Sequence, residues 1–189
     1  MKNITLLLFF AMCLAQWVVP GKMIYDSEHV ISEGEQYKFK TQPVDPSDPF
    51  RGKYITLNYE ANAITLSDSA DWQRGEEVFV TFTTDSLGFA KAKAISRDEP
   101  ASGYYLRTTV NYTAYKPFKV FFTIPFDRFY LEESKASQAE QLYWQAQRDS
   151  AQVAYGVVSL GAGSAVLRDV MINDKSIVDV INEINADVE

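Results

Sequence analysis

The chain has 189 residues, of which 47% are hydrophobic and 23% charged; this fits one main globular domain and excludes disordered and collagen-like proteins. Its net charge of −7 argues against nucleic-acid binding, because an acidic surface repels phosphates. A single cysteine and a single histidine exclude a disulfide framework and a Cys/His zinc site. The 11 tyrosines and 12 phenylalanines favour a pleated sheet over a helical bundle.

The amino-terminal segment is apolar from Ile4 to Val19 and follows Lys2. Two hypotheses fit this segment. A cleaved signal peptide has a basic start, an apolar stretch of about 7–15 residues and small residues before the cut, which here falls after Ala15. A retained anchor needs roughly 17–25 mostly apolar residues, and Ile4–Ile24 provides them. Both hypotheses place the rest of the chain outside the cytoplasm, with Lys2 inside.

The chain divides at two positions. Residues 1–24 are a transmembrane anchor or signal segment, and residues 25–34 are a polar connector that is expected to end as a helix closed by Gly34. Residues 35–189 form an extracytoplasmic β-rich domain. Because its sequence contains no cysteine, this domain suits an oxidising compartment without needing disulfides.

The β-rich domain has a strong strand pattern. Alternation of polar and apolar residues predicts strands at 35–41, 54–61, 78–83, 89–96, 104–112, 118–124, 152–160 and 164–172. Helical spacing predicts a mid-chain helix at 131–150, and Ser176 with Asp179 predicts the start of a C-terminal helix. Since no helices alternate with the strands, we expect a mainly β fold of the α+β class: an antiparallel β-sandwich or open barrel with these two helices and an N-terminal membrane helix.

The segment from Pro43 to Tyr59 reads PVDPSDPFRGKYITLNY, and it resembles the signature of the GDYXXLXY family. The matching residues are Pro43, Val44, Asp45, Pro46, Asp48, Pro49, Arg51, Gly52, Tyr54, Leu57 and Tyr59. The departure is Lys53, where the family has Asp. Less specific similarity extends over most of the chain.

The resemblance implies a bacterial, membrane-anchored protein, in a family whose members are often encoded beside a multi-pass membrane protein. It favours a retained anchor over cleavage. The protein is then expected at the inner membrane with its C-terminal domain in the periplasm, or exported if the chain is cut near Ala15.

The acidic residues and the arginine of the signature segment are candidate binding residues. Asp45, Asp48 and Glu60 could bind a hard cation such as calcium, or the two aspartates could stabilise a turn without any ligand. We favour the turn, because Lys53 is an unsuitable neighbour for a metal. Arg51 is suited to a bidentate partner, either an internal carboxylate or one on another protein. Gly52 is expected to serve the backbone conformation.

The aromatic part of the signature allows two interpretations. Leu57 and Tyr59 share one face of the predicted strand and are expected to pack in the core, while Tyr54 lies on the other face and is a candidate surface contact. All seven residues, from Asp45 to Tyr59, are retained as the candidate binding site: Asp45, Asp48, Arg51, Gly52, Tyr54, Leu57 and Tyr59.

Catalysis has little support in the sequence. Asp127, Glu132 and Glu133 lie beside aromatic residues and could form a carboxylate pair for acid–base chemistry, but acids also favour the first turn of a helix. No nucleophile motif is present, and we expect neither an enzyme, a metal nor a cofactor. The expected function is binding or scaffolding of another envelope membrane protein, such as a multi-pass protein. The alternatives are a secreted ligand-binding domain and a carboxylate-based hydrolase.

Overall fold

The computed structural model describes residues 2–43, 54–67, 71–149 and 151–186. These residues form three helices, α1 (Lys2–Glu33), α2 (Glu133–Arg148) and α3 (Ile177–Ala186). Their strands are β1 (Glu35–Lys40), β2 (Tyr54–Thr56), β3 (Ala63–Thr65), β4 (Glu77–Thr84), β5 (Ala90–Ser96), β6 (Tyr105–Ala114), β7 (Lys119–Phe122), β8 (Arg128–Tyr130), β9 (Ala154–Leu160), β10 (Ala162–Gly163), β11 (Ala165–Ile172) and β12 (Lys175–Ser176).

Helix α1 includes both the apolar segment and the polar stretch predicted as a connector. The helix ends at Gly34, whose N–H donates to the Val30 carbonyl at 3.0 Å. Gly34 is needed there for space: a Cβ at this position would lie 2.3 Å from the Val30 carbonyl oxygen and 2.8 Å from that of Leu160. The end of the helix is therefore fitted closely against β9.

The first sheet has four strands in the order β1-β9-β11-β12, all antiparallel. Phe39 of β1 lies opposite Gly156 of β9. Side chains alternate along β1, so that Tyr37 and Phe39 lie on one face and Lys38 and Lys40 on the other. This alternation, hydrophobic on one face and charged on the other, is the pattern from which β1 was predicted.

The second sheet follows the order β3-β7-β6-β4-β5, with β10 added to β6. The stretch from Gly161 to Gly163 was predicted only as the turn between two strands. It also pairs with β6 through β10, in parallel orientation, and so connects the two sheets. A separate ribbon is formed by β2 and β8. The predicted antiparallel, mainly β fold is confirmed, and the described strands do not close into a barrel.

An aromatic core joins the layers. The Phe39 ring lies 5.0 Å from that of Phe82, 5.1 Å from Phe126 and 5.7 Å from Tyr59, measured between centroids and in edge-to-face geometry, which aromatic pairs prefer. The mid-chain and C-terminal helices are confirmed. Their buried faces are formed by Ala136, Ala139, Tyr143 and Ala146 of α2 and by Ile177 and Ile181 of α3.

Candidate functional site

The candidate binding residues divide between described and undescribed parts of the chain. Asp45, Asp48, Arg51 and Gly52 lie outside the residues that the structure describes, so their predicted roles stay predictions. Tyr54, Leu57 and Tyr59 are described, and they take different positions.

Leu57 and Tyr59 are core residues, with 3% and 1% of their surface exposed. The Tyr59 hydroxyl donates a hydrogen bond to the Phe126 carbonyl at 3.0 Å. Burial raises the pKa of Tyr59 above its ordinary value, because the phenolate would be desolvated. Tyr59 also explains why residue 156 is a glycine, because a Cβ at that position would lie 3.0 Å from the tyrosine hydroxyl. This part of the signature therefore stabilises the contact between the two sheets.

Tyr54 instead belongs to a half-exposed cluster on the β2–β8 ribbon. Its ring lies 5.4 Å from that of Tyr130, directly opposite in the register. The Arg128 guanidinium lies 5.1 Å from the centre of the Tyr54 ring, in the range of a cation–π contact. A hydrogen bond with Tyr130 is the main cause that raises the pKa of Arg128. Tyrosine with arginine is a combination enriched in protein interfaces.

A cleft of about 280 Å³ with a mixed polar and apolar lining lies beside the buried signature residues. Its polar lining consists of Thr56, Asn58, Asn62, Asn111, Thr123 and Asp127, together with Tyr59. The Asn58 side-chain oxygen accepts hydrogen bonds from the Tyr59 N–H at 3.1 Å and from the Asn62 amide at 3.3 Å. Sequence reasoning missed these amides, because Asn58 occupies a variable position of the signature and Asn62 lies beyond it.

The three carboxylates considered for catalysis do not meet at this cleft. Among the described residues its lining includes Asp127 but neither Glu132 nor Glu133. The Glu132 carbonyl accepts the first hydrogen bonds of α2, from the Lys135 and Ala136 N–H groups, and Glu133 lies in the first helical turn. These two acids thus lie where the favourable helix dipole is expected to stabilise them.

No metal-binding cluster is found within the described ranges, where no three His, Cys, Asp or Glu side chains come together. His29 lies exposed on α1, with its ring nitrogen 3.4 Å from the Glu33 carboxylate. The arrangement around the signature therefore offers a cleft lined by amide, hydroxyl and apolar side chains, and an aromatic–arginine surface.

Helix α1 is long and apolar enough to cross a membrane. The candidate span, Leu6–Glu33, contains an 18-residue window with a mean hydropathy of 1.6, and none of that window is buried against the rest of the protein. At 1.5 Å per residue, the apolar stretch Ile4–Ile24 is roughly 31 Å long, which matches the hydrocarbon thickness of about 30 Å. Such a helix is compatible with a membrane anchor or with a signal sequence.

Fold and sequence together define a β-rich domain joined to an apolar amino-terminal helix. The model of the GDYXXLXY protein family matches residues 16–170, which is most of the chain. The chain therefore belongs to the GDYXXLXY protein family, as the signature segment predicted. Searches of curated proteins and of solved structures returned no match.

Proposed function

We propose that this protein is a membrane-anchored extracytoplasmic domain that binds, as a non-enzymatic scaffold, another membrane protein of the bacterial envelope. The observation that carries the proposal is the exposure of α1. Between Ile4 and Tyr25 its large hydrophobic side chains face outward all around the helix, with exposures between 55% and 77%. Helices that are apolar all round are stable only where lipid or protein surrounds them.

The junction between helix and domain supports an anchor that positions the domain. Val30 is buried beneath the first sheet, and the Tyr104 hydroxyl donates to the Glu33 carbonyl at 3.1 Å. Between Ile24 and Gly34 the helix continues through nine mostly polar residues, a length of roughly 13 Å. A helical stalk of this kind holds the β-domain at a defined height above a membrane surface, where a membrane partner is within reach.

Fractionation tests the anchor. The full chain should remain in the membrane fraction after carbonate extraction and keep its original amino terminus. A mature chain that starts at Gln16 and is recovered in the soluble fraction would overturn the anchor and favour a secreted ligand-binding domain.

Capture from membranes tests the scaffold. A tagged full chain, solubilised in mild detergent, should retain a discrete membrane protein in constant stoichiometry. A chain that remains monomeric and recovers no partner contradicts the proposal. Substitution of Arg51 by Ala should weaken retention, whereas Arg74→Ala, a control at an exposed arginine outside the signature, should not. If Arg51→Ala lowers only the stability of the fold, the residue is structural.

A further inference from the structure

Gln16 is a polar residue in the most apolar part of α1. The stretch from Leu6 to Val19 has no charged side chain, and Gln16 is its only carboxamide. Leu14 is the midpoint of Ile4–Ile24, so Gln16 lies only about 3 Å from the middle of the apolar stretch along the helix. Its side chain is exposed and has no hydrogen-bond partner among the described residues. In a membrane, this carboxamide lies where no water is present to solvate it.

Pro20 leaves a second polar group at the same depth. Proline has no N–H, so the backbone carbonyl four residues before it, which is that of Gln16, loses its helical donor. Pro20 lies on the same side of the helix as Gln16, about 40° away around the axis, and Met12 lies about 40° away in the opposite direction. We refer to Met12, Gln16 and Pro20 as the Gln16 face. Polar groups at such a position are satisfied by hydrogen bonds from a neighbouring helix.

The β-domain lies above this same face. In the polar part of α1, between Tyr25 and Glu33, only the buried Val30 and the half-buried Ile31 are covered. Around the helix axis, Val30 lies about 40° to one side of Gln16 and Ile31 about 60° to the other. These directions can be compared because the helix continues through Pro20 without a break. A helix bound at the Gln16 face therefore lies beneath the β-domain.

This geometry disfavours a second copy of the chain as the occupant. Two helices in contact lie about 8–10 Å apart, so a two-fold axis between them is about 5 Å from each. A domain of roughly 150 residues has a radius of gyration of about 15 Å. Two β-domains on the inner side of such a helix pair would occupy the same space.

The polar part of the helix limits how much of the occupant fits beneath the domain. Val30, the first residue covered by the domain, follows Ile24 by six residues, which is about 9 Å of helix. That height admits a short loop or tail but not a folded domain. The occupant therefore ends its transmembrane helix with a short extracytoplasmic connection.

We propose that the Gln16 face binds a transmembrane helix of another protein, which has a hydrogen-bonding side chain near its middle and only a short extracytoplasmic loop or tail. The inference deepens the proposed scaffold function and rests on it, since it requires α1 to remain in the membrane. A serine, threonine, asparagine or glutamine of the partner supplies a donor for the Gln16 carbonyl and an acceptor for the Gln16 amide.

Photo-crosslinking in intact membranes tests the face. Benzoylphenylalanine replaces either Met12, on the Gln16 face, or Leu14, on the opposite side, and both positions are exposed. The probe at Met12 should crosslink to a transmembrane segment of another protein at least fivefold more than the probe at Leu14. Equal crosslinking from the two positions, none from either, or a product made only of two copies of this chain would overturn the proposal.

Exchange of residues 16 and 18 tests the carboxamide. The double substitution Gln16→Val with Val18→Gln keeps the composition of the helix but moves the amide about 160° around its axis. This exchange should lower capture of the partner about fivefold, while the chain stays in the membrane after carbonate extraction. The control Gln16→Asn keeps a carboxamide in place and should leave capture within twofold. Full capture by the exchanged chain would contradict the assigned role of Gln16.

The same experiments separate this inference from the scaffold proposal. If the exchanged chain captures the partner as well as the unmodified chain does, the partner binds elsewhere and only this inference fails. If the unmodified chain stays in the membrane but captures and crosslinks no other protein, the scaffold proposal fails as well. A mature chain that begins at Gln16 in the soluble fraction removes the anchor on which both depend.

Discussion

Tyr54 and Leu57 show how residues only three positions apart in the signature serve different purposes. The Leu57 side chain is buried between the sheets, and its backbone N–H donates to the Asp127 carbonyl at 2.8 Å. Tyr54 lies half-exposed against Tyr130. A shared sequence motif can therefore combine a packing constraint with a surface feature.

Truncation of Leu57 should separate these roles. Leu57→Ala leaves a cavity in the core and should lower the free energy of unfolding by about 2–5 kcal/mol. Tyr54→Ala removes the half-exposed ring that contacts Tyr130 and Arg128, and it should cost about 1 kcal/mol. Urea unfolding of the full chain in detergent, followed by near-ultraviolet circular dichroism, measures both. Equal losses would contradict the division between core and surface.

Tyr143 of α2 should make stability depend on alkaline pH. Burial raises its pKa to about 12, from 10.0 in an exposed tyrosine. Because the folded state holds the proton more tightly, the stabilising contribution is complete below pH 10 and is lost as the pH rises through 12. Over that range the loss should reach about 2–3 kcal/mol.

The variant Tyr143→Phe provides the measurement. The quantity to compare is the unfolding free energy of the unmodified chain minus that of Tyr143→Phe. This difference should decrease between pH 10 and pH 12, because the two chains share all other tyrosines. A difference that stays constant with pH would show that Tyr143 ionises equally easily in the folded and unfolded states.

At the scale of elements, the junction of α1 with the first sheet depends on close backbone contact. Gly34 closes the helix by its hydrogen bond to Val30 and approaches the Leu160 carbonyl of β9. The last turn of the helix is thereby fixed to the central strand of the sheet. Gly161, just after β9, packs against the same turn of the helix. A Cβ added at Gly161 would lie 3.0 Å from the Val30 side chain, which is a tight contact.

Substitution of Gly34 by Ala should disturb this junction. The added Cβ meets two backbone oxygens that cannot move as a flexible side chain can, and we expect a loss of about 1–3 kcal/mol in domain stability. The matched control is Gly21→Ala within α1, where the added Cβ meets nothing within 4 Å beyond the backbone of the helix itself. Thermal unfolding of the two variants in detergent should differ; identical midpoints would mean that the junction adapts freely.

At the scale of the molecule, the apolar helix and the β-domain are connected without a flexible linker in the described chain. The turn between β4 and β5 is exposed at Ser86. An anchored protein with Lys2 inside the cytoplasm would expose this turn on the opposite side of the membrane.

Cysteine labelling tests this orientation, because Cys13 is the only cysteine of the chain. A Cys13→Ser/Ser86→Cys chain, expressed in bacterial spheroplasts, should react with a membrane-impermeant maleimide without lysis. The unmodified chain should not react, since Cys13 lies within the apolar segment. Labelling of Ser86→Cys only after lysis would place the domain in the cytoplasm.

The elements that sequence alone predicted are those with long, regular patterns. Strands such as β4 and β6, helix α2 and the apolar length of α1 follow from spacing over six residues or more. The same local pattern placed Leu57 and Tyr59 together on one face. The strands β3 and β8, of three residues each, are too short for alternation to be recognised, and their pairing energies come from strands distant in the chain.

We could predict the apolar helix, the antiparallel β character and the family signature from the sequence, because each depends on residues near one another along the chain. Three features required the tertiary structure. The Tyr59 hydroxyl lies beside Gly156, the end of the helix is fixed to β9, and β3 approaches β5 without a hydrogen-bonded pairing among the described residues. These features depend on the order and curvature of strands. Long-range packing sets that order, and no local pattern of side chains records it.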